Sequence, residues 1–291
     1  MRECKEIGSA VPLTALTIGA FTESALRTSP GPWKVVASFE KAAYLSHGSE
    51  IIVVTSRQVP PGPLYVTVDA DRVQAKDGAV LNFEEGHLGL GPPSVTLTSA
   101  DVWAGVLPEP QQLSAQRAMI MTALAPVAGQ SALAGAPYSR PAKEGLQWLQ
   151  QGDLDVIAWS IIGLGPGFTP AGDDALAGLL VTAIASGRLG PGEWSIDPET
   201  ARRTSLISLA FLRCAAAGQA IAPVHDVLMA GAAGEAAACR AACAELAAVG
   251  GTSGADIAFG MWAGLQTPRE LRARRPRSFH PLLSSPSLFE Q

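Results

Sequence analysis

Between Gly163 and Leu180 the chain reads GLGPGFTPAGDDALAGLL. Glycine and proline crowd its first half, two adjacent aspartates follow, and an apolar run closes it. Both flanks have a helical period. Before it, Asp153 caps a segment whose Leu154, Ile157, Ala158 and Ile161 keep the i, i+3, i+4, i+7 stripe. After it, the helix runs to about Ser186, with Gly187 as its stop. This context excludes two familiar readings. A P-loop follows a strand and ends in Gly-Lys-Ser/Thr, and this loop has no lysine. The dinucleotide fingerprint needs G-x-G-x-x-G after a strand, whereas Gly163-x-Gly165-x-Gly167 follows a helix.

Outward from the loop, residues 109–267 read as one helical domain. Helices are expected near 112–125 and 142–151, from Asp197-Pro198 to Gly218, and from Ser253 to about Leu265. Between Ala230 and Val249, eleven of twenty residues are alanine. Alanine is the best helix former and lets helices approach closely, so this stretch can pack within the chain or against a second copy in a homo-oligomer. Residues 1–108 read instead as a β-rich domain. EIIVVTS (50–56) is a β-branched run, LYVTVD (64–69) and SVTLTS (94–99) alternate, and VQAKDGAVLNF suggests a hairpin centred on Asp77-Gly78. The expected class is α+β: a small antiparallel sheet or partial barrel followed by a helical bundle. The arginine-rich tail, 268–291, is expected to be loose.

Bulk properties narrow the partners. The 291 residues are 47% hydrophobic and carry a net charge of −5, which leaves no broad basic face for nucleic acid. No apolar run is long enough for a transmembrane helix. Arg2 and Lys5 before IGSAVPLTALTIGA loosely imitate a signal peptide, but Glu3, Glu6 and Pro12 spoil it. Cys4, Cys214, Cys239 and Cys243 lack histidines at metal spacing and read as buried reduced thiols, so the expected location is cytoplasmic.

The loop itself suggests an anion site. Gly163, Gly165, Gly167 and Gly172 permit close backbone approach, Pro166 and Pro170 stiffen the loop, and the next helix begins with free N–H groups. Asp173 and Asp174 either complement the helix start, accept hydrogen bonds from a substrate NH₂, or hold Mg²⁺ against a phosphate. Thr169 adds a hydroxyl. In TSGAD (252–256), Ser253 and Asp256 have capping-box spacing, or else face the loop as substrate ligands. Arg202 and Arg203 suit a solvated face or a substrate charge. His225 is the histidine best placed for a base.

The 163–180 stretch also resembles the G-L-G-x-G-L-T-P-S-G-D-D-F-L-x-G signature of the AllH family. Gly163, Leu164, Gly165, Gly167, Thr169, Pro170, Gly172, Asp173, Asp174 and Gly178 fit; Phe168, Ala171 and Ala175 depart from it. VVASFEKAAYL (35–45), the Thr204-led TSLISLAFLRCAAAGQ (204–219) and VGGTSGADIAFGMWAGL (249–265) are similar to further family blocks, with Gly251 where histidine is common. The resemblance implies a subunit of oxamate carbamoyltransferase, acting with other subunits on oxamate, oxalurate and carbamoyl phosphate in ureide or purine nitrogen use. It leaves open a non-catalytic anion-binding or scaffolding role. Thr204 joins the candidate substrate residues through this resemblance.

Overall fold

The computed structural model describes residues 4–6, 13–89, 95–147, 149, 151–267 and 271. The tail read as loose therefore lies outside the described residues, apart from Leu271. The β part comprises β1 (Cys4–Glu6), β2 (Leu13–Gly19), β3 (Trp33–Phe39), β4 (Ala42–His47), β5 (Glu50–Ser56), β6 (Tyr65–Val68), β7 (Arg72–Gln74), β8 (Val80–Glu84), β9 (His87–Gly89), β10 (Val95–Thr96) and β11 (Asp101–Trp103), with one helix, α1 (Ala20–Thr28). The order β10-β9-β8-β3-β4-β5-β6-β2 closes through a parallel β10–β2 pairing, Val95 opposite Leu13, into an eight-stranded barrel. Closure removes the sheet edges that an open arrangement would expose. Trp33, Leu45, Ile52, Val54, Val66, Val68 and Leu88 fill the interior.

The β-branched run in β5 is explained by burial on both faces. Ile52 and Val54 enter the barrel core, while Ile51 and Val53 pack outward with Ile207, Ala210 and Cys214 of the helical part. Two local expectations differ from the structure. β5 and β6 are parallel partners, so the sheet is not wholly antiparallel. The Asp77-Gly78 turn does not form a hairpin: β7 pairs with β1, and β8 pairs with β3 and β9. Of the two turn residues only Gly78 has a positive φ, whereas a type I′ turn needs both. The observed hairpin joins β8 to β9 through Glu85 and Gly86, which both have positive φ.

The helices are α2 (Pro110–Ala115), α3 (Arg117–Ala128), α4 (Ser139–Gln147), α5 (Leu154–Ile161), α6 (Ala171–Ala185), α7 (Pro198–Ala201), α8 (Leu206–Ala216), α9 (Ala222–Ala232), α10 (Ala236–Ala247) and α11 (Ser253–Gln266), plus a 3₁₀ turn at Ala132–Ala134. Their core centres on α6, which is buried nearly all round, as the apolar run from Ala175 to Val181 requires. α11 crosses it at close range. A Cβ on Gly178 would stand 2.1 Å from the Ile257 carbonyl oxygen, and one on Gly260 would stand 1.7 Å from that of Ala175. The alanine-rich stretch splits at Gly234, φ +77°, into the end of α9 and α10. The helix expected from Asp197 to Gly218 is also two. Asp197 caps α7 through the N–H groups of Glu199 and Thr200, and Ser205 starts α8 by accepting from Ser208 N–H. Among the described residues no helix is long and apolar enough to cross a membrane.

Candidate functional site

The break between α7 and α8 turns Thr204 towards Asp173. Its hydroxyl donates to one carboxylate oxygen of Asp173, and Gly163 N–H donates to the other at 2.8 Å. Asp173 is 2% exposed. Burial raises its pKa, while the hydrogen bonds from Thr204, Gly163 and Ser208 pull against that. Asp173 thereby ties the glycine loop to the start of α8, from inside the fold.

Asp174 faces elsewhere. It lines a cavity of about 310 Å³ at the seam between barrel and helices. Thr169 Oγ1 donates to its Oδ2 at 2.9 Å. Its pKa is pushed up to about 8, chiefly by burial; the Ser253 and Thr169 hydroxyls oppose this, and the charges of Asp256 and Asp173 add to it. At neutral pH Asp174 is thus largely a neutral carboxylic acid. It can donate a hydrogen bond to a carbonyl or an oxyanion, or hand over a proton.

TSGAD does not form the capping box its spacing suggests. Thr252 is the N-cap of α11 and makes no side-chain capping bond. Ser253 instead acts on Asp174 and lines the cavity. Asp256, 1% exposed, accepts from Ser131 Oγ at 2.6 Å and from Ala132 N–H at 2.9 Å, which fixes the 3₁₀ turn beneath α11. The two sequence blocks therefore meet at Asp174 and Ser253, while Asp256 stands behind them.

The glycine loop holds much of its own backbone. Leu164 N–H donates to Ile161, Gly172 N–H to Leu164, and the N–H groups of Asp173 and Asp174 both donate to Pro170. Gly163, Gly165 and Gly167 have positive φ. Gly172 serves packing, since a Cβ there would meet the Ile161 carbonyl oxygen at 1.8 Å. Phe168 at the loop's tip is 46% exposed and sets its ring against Phe39 and Tyr44 of the barrel. Arg203 stacks on Trp159, 4.5 Å from the ring centroid, and donates to the Trp159 carbonyl. His225 is buried. Its Nδ1 faces the Val106 carbonyl at 3.1 Å and its Nε2 accepts from Ala220 N–H at 3.1 Å, while burial lowers its pKa. It joins the segment between β11 and α2 to the start of α9 as a neutral ring. Cys214, Cys239 and Cys243 are buried free thiols. Among the described residues no group of three or more His, Cys, Asp or Glu stands where it could hold a metal ion.

The barrel supplies the rest of the cavity wall, through Lys41, Tyr44, Val53, Thr55, Val59 and Tyr65. Burial and the Asp174 charge raise the Tyr44 pKa to about 12, so its hydroxyl keeps its proton. Among the described residues, Lys41 is the one cationic side chain lining the cavity. Sequence reasoning singled out none of these residues. One signal was available: in AAYLSH, Leu45 enters the barrel interior, so the alternation of β4 sends Tyr44 to the opposite face.

A family described as oxamate carbamoyltransferase subunit AllH has a model that matches residues 161–265. No solved structure matches the chain. The family match begins at the glycine loop's threshold and ends in α11, so it covers Thr169, Asp173, Asp174, Thr204, Ser253 and Asp256 and leaves the barrel outside. The segment that carries the Asp174 wall of the cavity is therefore what is similar to that family.

Proposed function

We propose that this chain is a subunit of a carbamoyltransferase of the oxamate type, and that its substrate site is the seam cavity around Asp174. One observation carries the reading: the family-matched segment supplies the one carboxyl group that lines the cavity among the described residues, with two hydroxyls, Thr169 and Ser253, acting on it. In the catabolic direction, a phosphate oxygen bonds to the carbamoyl carbon of oxalurate and the C–N bond to oxamate breaks. The departing nitrogen needs a proton. Asp174, neutral near pH 7 because of burial, gives it, and recovers one from the hydrogen phosphate that attacked. The overall proton transfer is from phosphate to oxamate nitrogen, with Asp174 as relay. Thr169 and Ser253 keep that carboxyl in place. Asp173 and Thr204 hold the loop and act as positioning residues, with Gly163, Gly165, Gly167 and Gly172 shaping the loop they anchor.

A second reading has its own observation. Among the described residues the cavity carries one cation, Lys41, and several loop amides are bonded within the loop. A phosphate dianion needs more donors than that. We therefore assign the remaining phosphate ligands to a partner subunit, and a purely binding or scaffolding role is the limiting case.

The test is calorimetric titration of the purified chain with oxalurate, followed by phosphorolysis assays with and without the partner subunits. Oxalurate binding that Asp174→Asn weakens, with turnover only in the assembled enzyme, is the expected result. Turnover that is unaffected by Asp174→Asn would remove the carboxyl from the chemistry.

A further inference from the structure

We infer that Lys41, in the turn between β3 and β4, recognises the carboxylate at the oxamate end of the substrate, and so makes the site selective for oxamic acid derivatives over their uncharged amides. This rests on the seam cavity being the substrate site, as proposed above, and gives the substrate's charged group to a residue outside the family-matched segment.

The turn fixes its backbone and leaves one side chain free. Phe39 pairs with Ala42, so Glu40 and Lys41 form the turn between them. The Glu40 carbonyl accepts from Val73 N–H at 3.0 Å, and the Lys41 carbonyl accepts from Ser56 N–H at 2.9 Å. Glu40 is the acid next to Lys41 in the chain, and Arg72 takes it at 2.9 Å. Asp69 and Asp71 are taken in the same way by Arg57, at 2.8 and 2.9 Å. Among the described residues the Lys41 ammonium is left without an ion pair. It is exposed, yet it lines the cavity. Phe39 and Tyr44, on either side of the turn, set their rings against Phe168 at 5.1 and 5.0 Å between centroids. Phe168 directly precedes Thr169, so these contacts hold the turn against the segment that carries Thr169 and Asp174.

Oxamate and oxalurate each carry one negative charge, on the carboxylate. Entering the cavity strips part of that group's hydration, and a charged hydrogen-bond donor offsets the loss. Asp174 does not compete for Lys41 at neutral pH, because burial keeps it largely protonated. With the carboxylate on Lys41 and the departing nitrogen at Asp174, the substrate is held at two points, which fixes the direction of its carbamoyl carbon. One ammonium suits a single carboxylate, and the phosphate draws its cations from the partner subunit, in keeping with the reading above.

The experiment titrates the purified full chain with oxalurate, with oxaluramide (the same molecule with NH₂ in place of the carboxylate oxygen) and with inorganic phosphate, by calorimetry. The wild type is expected to bind oxalurate at least about tenfold more tightly than oxaluramide. Lys41→Met should weaken oxalurate at least about tenfold and leave oxaluramide within about twofold, and Lys41→Arg should recover most of the oxalurate affinity. The melting temperature establishes that both variants are folded. Oxalurate affinity unchanged in Lys41→Met, or equal losses for oxalurate and oxaluramide, would overturn the inference and leave the cavity reading to stand on Asp174→Asn. A loss confined to inorganic phosphate would give Lys41 to that ligand and overturn the inference as well. A wild-type chain that does not bind oxalurate would overturn both readings together.

Discussion

Adjacent aspartates at a helix start invite a single explanation, such as dipole complementarity or metal chelation. The structure gives them separate tasks. A helix turns about 100° per residue, so neighbours point apart, and Asp173 faces the loop and α8 while Asp174 faces the seam. Their substitutions should therefore differ in kind. Asp173→Ala removes the acceptor shared by Gly163 N–H and Thr204, and should cost about 1–3 kcal/mol of stability by urea titration, with a smaller effect on ligand affinity than Asp174→Asn. A larger effect on affinity than that of Asp174→Asn would place Asp173 in the site. Thr169→Val deletes a hydrogen bond that lowers the Asp174 pKa. The titration of that carboxyl, followed by carbon NMR, should move upwards. A downward move would show that Thr169 does not stabilise the charged form.

Element identity was the part most legible in the sequence, because it follows from period and caps. Asp153, Asp197-Pro198 and Gly187 mark helix ends where the structure has them. The loop at 163–170 stood out because glycine and proline restrict and free φ in ways no other residues do. Failures occurred where a tertiary bond overrode a local pattern. The S-x-x-D of TSGAD was drawn away to Asp174 and to Ser131, and the helix from Asp197 breaks so that Thr204 reaches Asp173. Barrel closure, through a short β10–β2 pairing, leaves no local mark at all. Gly178 and Gly260 set the close crossing of α6 and α11. Gly260→Ala would press a methyl group against the Ala175 carbonyl. Overpacking at such a backbone contact should cost about 3 kcal/mol or more, read as a fall in melting temperature. An unchanged melting temperature would mean that the α6–α11 crossing can spread without loss.

At the scale of the whole molecule, the seam matters because neither part completes the cavity alone: the helical part gives the carboxyl and hydroxyls, the barrel gives Lys41, Tyr44 and Tyr65. Placing an acid where the barrel meets the helical part ties stability to proton uptake. Asp174 has a folded pKa near 8 against 3.8 in the unfolded chain, so between those values the native state binds the extra proton. Stability from this group is full below about pH 4 and is lost as pH rises through 8. Asp173, also raised by burial, acts in the same direction. His225 acts in the opposite one. Its folded pKa lies below 6.5, so its contribution is present above that value and is lost as pH falls through the folded pKa. Wild-type stability from Asp174 should therefore decline between about pH 4 and pH 8 and level off above that, and Asp174→Asn should remove most of that decline and leave the His225 acid limb in place. Urea titrations from pH 5 to about pH 9 should show the variant overtaking the wild type as pH rises, even as it loses ligand affinity. Stability curves that run parallel across the range would mean that Asp174 titrates as an ordinary surface carboxylate, and the proton-relay role assigned to it would fall with them.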